Sequence, residues 1–224
     1  RQAFLRRLLD PVNGMGMSLM RVTVGTSDFT AQDFYTYYDG TGKELDGKPD
    51  WNNVTGKGFS IQKDKDLGII KVINEMQAIA KELGVEDNLK FFASSWTPPG
   101  WMKLPTSSSN SYEDNELLLK GGKLNDDYID DLAKYMVRYV EEYQKCGIPI
   151  YAMTIQNEPL LEINYPSCAM TGTQEAKIAK AIKAELAKST VLKDNEKEVK
   201  LWAFDHNFDG ADKFMADFFK EAGD

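Results

Sequence analysis

Four stretches of this chain hold side chains that could do chemistry. Asn157 and Glu158 stand side by side in Thr154-Ile155-Gln156-Asn157-Glu158-Pro159, and Arg21 and Asp28 bracket most of Arg21-Val22-Thr23-Val24-Gly25-Thr26-Ser27-Asp28-Phe29. Trp96 and Trp101 fall in Ser94-Ser95-Trp96-Thr97-Pro98-Pro99-Gly100-Trp101-Met102-Lys103, and Asp205 and His206 in Phe204-Asp205-His206-Asn207. A carboxyl group can give and take a proton, carboxylates and amides bond hydroxyls, and indole faces stack on the apolar faces of pyranose rings. Gathered at one rim, these groups make a sugar pocket. Metal chemistry fits poorly. His206 is the single histidine, and Cys146 and Cys168 are too few for a zinc site or a disulfide framework. The reading is therefore no cofactor and no metal, with two unpaired thiols.

The elements that must position these groups follow from the apolar pattern. Four short runs, Met17–Gly25, Leu89–Trp96, Ile150–Asn157 and Val199–Asp205, are nearly continuous in apolar residues, which suits buried strands covered on both faces. Helical spacing separates them. Ile69, Ile73, Met76, Ala80 and Leu83 recur at four and three, with Gly84 as a stop. Ile129, Leu132, Met136, Val140 and Tyr143 form a second stripe, begun by Asn125 and ended by Gly147-Ile148-Pro149. A capping box at Thr171–Gln174 opens a third helix through Ile178, Ile182 and Leu186, and a fourth runs from Gly210 through Phe214, Met215, Phe218 and Phe219. Alternating strand and helix predict an α/β fold with a parallel sheet.

The connections are unequal. Helix-to-strand links are short, whereas strand-to-helix links from Phe29 to about Ser60 and from Thr97 to about Asn125 are long. In a parallel sheet these long loops leave from the C-terminal edge of the strands, where barrel and doubly wound enzymes place their sites. An open nucleotide-binding sheet would need a glycine-rich turn directly after a strand, yet the one glycine cluster, at Gly14 and Gly16, precedes its strand. The pattern favours a (β/α) barrel of which about four consecutive βα units are present, read as one partial domain over residues 1–224.

Composition narrows the partners. The 224 residues carry 27 Lys and Arg against 35 Asp and Glu, a formal charge of −8, with 42% hydrophobic and 28% charged residues. No basic stripe is present to neutralise phosphates, so a nucleic-acid partner is not expected. Neither is a membrane span, since no long apolar run occurs. The chain begins Arg1-Gln2-Ala3-Phe4-Leu5 without a signal peptide or a Met, and reads as the middle of a longer protein.

With these residues in view, the chain resembles glycoside hydrolase family 30, the glucosylceramidase-like members of clan A, over essentially its whole length. Asn-Glu-Pro after one strand is shared widely in the clan; its combination with Ser-Trp-Thr-Pro-Pro-Gly-Trp-Met-Lys and Arg-Val-Thr-Val-Gly-Thr-Ser-Asp-Phe is specific. The resemblance implies a (β/α)8 TIM-type barrel with an attached β-sandwich, the strands here being the second to fifth, and hydrolysis with retention. It implies Glu158 as the general acid/base and Asn157 as the amide on the sugar 2-hydroxyl. Asp28 and Trp96 match the pair that holds the terminal sugar, Arg21 the arginine beside the nucleophile, and Asp205 an acidic residue at the fifth strand's end. His206 departs from the acidic neighbour found in part of the family. The nucleophile, a Glu at the end of the seventh strand, falls outside this chain. The implied substrates are β-linked glucosides or glucans: glucosylceramide, a simple β-glucoside or β-1,6-glucan. The implied location is secreted or periplasmic.

Plainer readings stand beside these. Trp101 is either a sugar contact or rim packing, and Asp28 either binds substrate or caps a turn. Arg21 needs a structural partner in any case. Glu162 reads as a solvated loop residue, and Asp126, Asp127, Asp130 and Asp131 as a solvated N-terminal turn favoured by the helix dipole. Tyr35, Tyr37 and Tyr38 either line the aglycone side or pack the first long loop. Asn53-Val54-Thr55 is a glycosylation sequon. The rival class is a non-catalytic carbohydrate-binding fragment, which would keep Trp96 and Asp28 without needing Glu158 beside Asn157.

Overall fold

Each of the four apolar runs forms a strand in the computed structural model, which describes residues 1–40 and 58–223. These are β1 (Leu19–Val24), β2 (Lys90–Ser95), β3 (Ile150–Thr154) and β4 (Lys200–Trp202). β1 pairs with β2, β2 with β3 and β3 with β4, all parallel, so the sheet order is the chain order. The strands are shorter than the runs because their last residues leave the regular ladder. Pairing persists there in looser form: the Asn157 amide donates to Ser95 O at 2.6 Å, and Asn157 bridges Asp205.

The helices of eight residues or more are α1 (Gln2–Leu9), α2 (Ile69–Leu83), α3 (Ile129–Lys145), α4 (Gly172–Lys188) and α5 (Ala211–Ala222). The spacing predicts all but the first. α2 buries Ile70, Ile73, Met76, Ile79 and Ala80 on one stripe and stops at Gly84, whose φ of +68° a side chain would resist. α3 buries a broader stripe containing Leu132, Met136, Val140 and three tyrosines. Thr171 and Gln174 form the expected capping box: the Gln174 amide donates to Thr171 Oγ1 at 3.2 Å and the Thr171 amide to Gln174 Oε1 at 2.9 Å. α1 buries only Leu5 and Leu9, too sparse a stripe to stand out; ion pairs from Arg1 to Glu75 and from Arg6 to Glu82 tie it to α2.

The two faces of the sheet differ, which corrects the expectation of strands covered on both. Val24, Phe91, Ala93, Met153 and Ile155 face the helices and join one core. The other face carries Arg21, Thr23, Phe92, Ser94, Thr154 and Trp202, where Phe92 and Trp202 meet at 5.1 Å and Arg21 remains exposed. Apolar runs that look uniform in sequence hide this division, because the polar residues are few and, Arg21 apart, small.

The first long loop packs inward. Tyr35, Tyr37 and Tyr38 are all buried, so these rings serve the loop's own packing. Asp64, fully buried, accepts hydrogen bonds from Tyr35 (2.8 Å), Tyr37 (2.6 Å) and Tyr143 of α3 (2.6 Å). The sequon at Asn53 lies outside the described residues. In the second long loop Lys103 is buried and donates to Thr97 Oγ1 (2.9 Å), Leu119 O (3.3 Å) and Ser167 O (2.9 Å). Burial pushes its ammonium down to about 8. Glu162, read as solvated, instead accepts from Thr106 Oγ1 and from the Gly122 amide, so it too holds loops together. Asn125 caps the short turn before α3, with Asp130 and Asp131 in the helix's first turn. Cys146 and Cys168 are free thiols, the second buried. Among the described residues no helix is long and apolar enough to cross a membrane.

Candidate active site

The ends of the four strands converge on one cluster. Arg21 projects from β1 across the open face, and its Nη2 is shared among Ser94 Oγ (2.7 Å), Asn157 Oδ1 (2.7 Å) and Asp205 Oδ2 (2.5 Å). Its guanidinium lies 4.6 Å from the Trp96 ring, a stacking that holds the plane of the cation. Ser94 and Thr154 face each other across the β2–β3 pair, their hydroxyls 2.7 Å apart and each within 2.9 Å of Asp205 Oδ2. Each of the four strands or its exit thus supplies one partner: Arg21 from within β1, Ser94 and Thr154 near the ends of β2 and β3, and Asp205 just past β4. Arg21 and Asp205 keep 36% and 24% of their side-chain surface, so the pair is accessible as well as bonded.

Glu158 sits directly above this cluster in the chain trace. Its amide donates to Asp205 O at 2.8 Å, and Asn157 Nδ2 lies 3.4 Å from its Oε2. The Asn157 carboxamide therefore has one end on Arg21 and the other towards Glu158. Glu158 adopts φ +49°, a left-handed conformation that a glutamate before proline occupies only at a cost of about 1–3 kcal/mol. Phe204, just before Asp205, has φ +55°. The two strained residues stand on neighbouring strand ends, joined through the bond from the Glu158 amide to the carbonyl of Asp205, the residue after Phe204. Gln156, fully buried, anchors the same turn by donating to Trp96 O (2.7 Å) and to Asn157 O (2.9 Å).

The structure brings together Arg21, Trp96, Asn157, Glu158 and Asp205. Asp28 is exposed in the loop after β1 and reaches the group through Tyr165: burial, then the carboxylates of Glu158 and Asp28, push the Tyr165 phenol up. Trp101 is taken up by packing. Its Nε1 donates to Tyr38 O at 3.0 Å, and its ring meets Tyr38 and Tyr128 edge-on at 5.6 and 5.3 Å. His206 stacks on Phe204 at 5.7 Å and accepts the Asn207 amide. Ser94, Thr154 and Tyr165 escape the sequence reading. The first two have a signal, hydroxyls in apolar strands at paired positions; Tyr165 has none. Phe29 and Phe208, 91% and 94% exposed, and Leu160 also stand on these loops.

A cleft of about 410 Å³ lies at the opposite, N-terminal edge of the sheet, lined by Gln77, Leu89, Lys90, Gln144, Pro149 and Glu196 among others. It holds neither the arginine nor the Asn–Glu pair.

Comparison with known proteins places the chain as a whole. The chain is 30% identical over 213 residues to an endo-1,6-beta-D-glucanase of Aspergillus fumigatus, covering 93% of this chain and 39% of the relative. It is 27% identical over 176 residues to the lysosomal acid glucosylceramidase of Mus musculus, covering 78% of this chain and 30% of that protein. The solved endo-beta1,6-glucanase BT3312 superposes with a TM-score of 0.75 at 27% identity, over 99% of this chain and 44% of that one. The chain thus spans about two fifths of the length of its glucanase relatives. Residues 3–219 match the family model of the glycosyl hydrolase family 30 TIM-barrel domain, and the chain belongs to that family.

Proposed function

We propose that this chain carries the acid/base half of a retaining β-glycosidase site, built on the second to fifth strands of an eight-stranded barrel. The single observation that carries the reading is the placement of Glu158. It stands at a strand end in a strained conformation, beside an amide bonded to a partly exposed arginine–carboxylate pair. Glu158 protonates the departing glycosidic oxygen, then takes a proton from water as the glycosyl-enzyme is hydrolysed. Arg21 orients Asn157 for the sugar 2-hydroxyl. Trp96, held against Arg21, and Asp28 grip the ring on this flank, while Asp205 balances the arginine.

The nucleophile is a second carboxylate, about 5–5.5 Å from the first in retaining enzymes, contributed from outside this chain. The substrate is a β-glucosidic bond. The endo-1,6-glucanase relatives favour a β-1,6-glucan over a glucosylceramide, and the exposed Phe29 and Phe208 offer ring faces to further sugar units.

The test is Glu158→Gln in the complete enzyme. On an unactivated glucoside the loss is expected at about 10²–10⁴-fold, the worth of general acid–base assistance. An aryl glucoside with an acidic phenol is expected to retain its first step and accumulate intermediate, and azide to restore turnover as the β-glycosyl azide. Equal slowing of both substrates with no azide effect removes Glu158 from the acid/base role. The 224-residue chain alone is expected to show no turnover at an enzymatic rate.

A further inference from the structure

The turn that delivers Asp205 is also held from behind, by a residue the proposed mechanism does not use. Glu175 lies in the first turn of α4, is fully buried, and accepts the Phe204 amide through Oε2 at 3.1 Å. Phe204 is one of the strained residues, φ +55°, and its ring packs on Phe214 of α5 at 4.9 Å. The following residue, Asp205, sends its side chain to Arg21, Ser94 and Thr154, and its carbonyl to the Glu158 amide. The Phe204 amide is therefore the point where α4 grips the site. The other oxygen of Glu175, Oε1, is buried with no hydrogen-bond partner among the described residues.

We propose that Glu175 is a positioning residue: by fixing the Phe204 amide it sets where the Asp205 carboxylate meets Arg21, and so the alignment of Asn157 and Glu158. The proposal rests on reading that cluster as one flank of the sugar site. It further requires Glu175 to work as the neutral acid. A buried carboxylate with one unpartnered oxygen is costly, and the charged group acting on it is Asp205, of the same sign. α3 and α5, packed against α4, bring no opposite charge to it among the described residues. Burial first, and then Asp205, push Glu175 up to about 8. The folded protein therefore keeps this proton well above the pH at which the unfolded chain, with an ordinary carboxyl near 4.5, releases it. Stability attributable to Glu175 falls as pH rises from about 4.5 to 8.

Two variants in the complete enzyme test this. Glu175→Gln keeps an acceptor for Phe204 and cannot ionise; Glu175→Leu keeps the volume and loses the acceptor. In Glu175→Leu, kcat/KM on an aryl glucoside is expected to fall about tenfold or more, the worth of one buried hydrogen bond, with Glu175→Gln recovering most of it. Hydrogen exchange at the Phe204 amide is expected to quicken in Glu175→Leu and not in Glu175→Gln. The Tm of Glu175→Gln relative to wild type is expected to rise from pH 5 to pH 8. Equal exchange in the two variants, or a Tm difference flat with pH, overturns the proposal. These two readouts need no catalysis. If Glu158→Gln leaves activity intact, the acid/base reading of Glu158 fails while the Glu175 contact is still judged. Should Glu175→Leu not fold, the Glu175→Gln pH series decides alone.

Discussion

Two carboxylates in this chain each receive three hydrogen bonds, and they do opposite things. Asp64 takes them from the phenols of Tyr35, Tyr37 and Tyr143, is wholly buried, and pairs with no cation among the described residues. Asp205 takes them from Arg21, Ser94 and Thr154, stays a quarter exposed, and sits beside a strained turn at a strand end. Asp64 joins the first long loop to α3, and Asp205 joins β2 and β3 to a cation from β1 that also touches Asn157 and Trp96. Donor count therefore does not mark a functional site. What separates the two is the partner chemistry: phenols on apolar rings build a core around Asp64, while a guanidinium and small hydroxyls hold Asp205 where it stays partly exposed.

The comparison breaks most sharply at Asp64. Asp64→Ala strands three buried phenols, and at about 1–3 kcal/mol per unsatisfied group the loss is expected to reach several kcal/mol in urea unfolding. The pH dependence has its own sign. Burial outweighs the three donors and raises the Asp64 carboxyl above its usual 3.8. The folded state then holds the proton longer than the unfolded chain, so this contribution to stability declines as pH climbs through the window above 3.8. Asp64→Asn is expected to flatten that slope; a slope unchanged in the variant assigns it elsewhere.

Lys103 extends the comparison to a cation buried without a carboxylate bonded to it. Lys103→Met leaves Ser167 O without its donor while Leu119 O keeps the Ser167 amide, and a loss of about 1–3 kcal/mol is expected. Because its folded value is about 8 against the ordinary 10.5, wild-type stability is expected to rise between those pH values and Lys103→Met to lack the rise. Tyr37→Phe removes one donor of three from Asp64, and its cost is expected at about 1 kcal/mol.

Asp205→Asn gives the smallest stability effect, below about 1 kcal/mol, because a part-exposed ion pair is worth little to folding. Its functional effect is expected to run the other way, with KM in the complete enzyme rising about tenfold as Arg21 loses its counter-charge. A stability loss rivalling that of Asp64→Ala, with KM unmoved, would make the two carboxylates equivalent and the contrast empty.

Much of the architecture was legible because periodicity reports burial directly. Ile73, Met76 and Ala80, and Leu132, Met136, Val140 and Tyr143, are buried on their helices as the spacing requires, with Ile69 and Leu83 only partly buried, and Thr171–Gln174 caps α4, since these are contacts within a few residues. Asn157-Glu158 at a strand end and the Trp96 run were equally readable, because short stretches held whole motifs. Tyr35 and Tyr37 were not: a tyrosine in a loop shows no preference for rim or core until its hydroxyl finds Asp64, 27 to 29 residues away. Glu162 was misread for the same reason, its partners Thr106 and Gly122 lying 56 and 40 residues off. Trp101 had its indole edge claimed by Tyr38 O, a contact no local pattern announces.

The sequence by itself determined the α/β order, the parallel sheet, the four helices between and after the strands and the residue types at each strand end. Local hydrogen bonding and the burial of apolar stripes act over a few residues, so they are written in a few residues. Tertiary structure alone decided which carboxylate faces a cation, that Ser94 and Thr154 meet over Asp205, and that Glu175 holds Phe204 from behind. Those outcomes depend on register between strands 50 to 110 residues apart in the chain and on the solvent each pairing excludes. The energy of a charge is set by what the fold places around it, and that surrounding is assembled only when the strands pair.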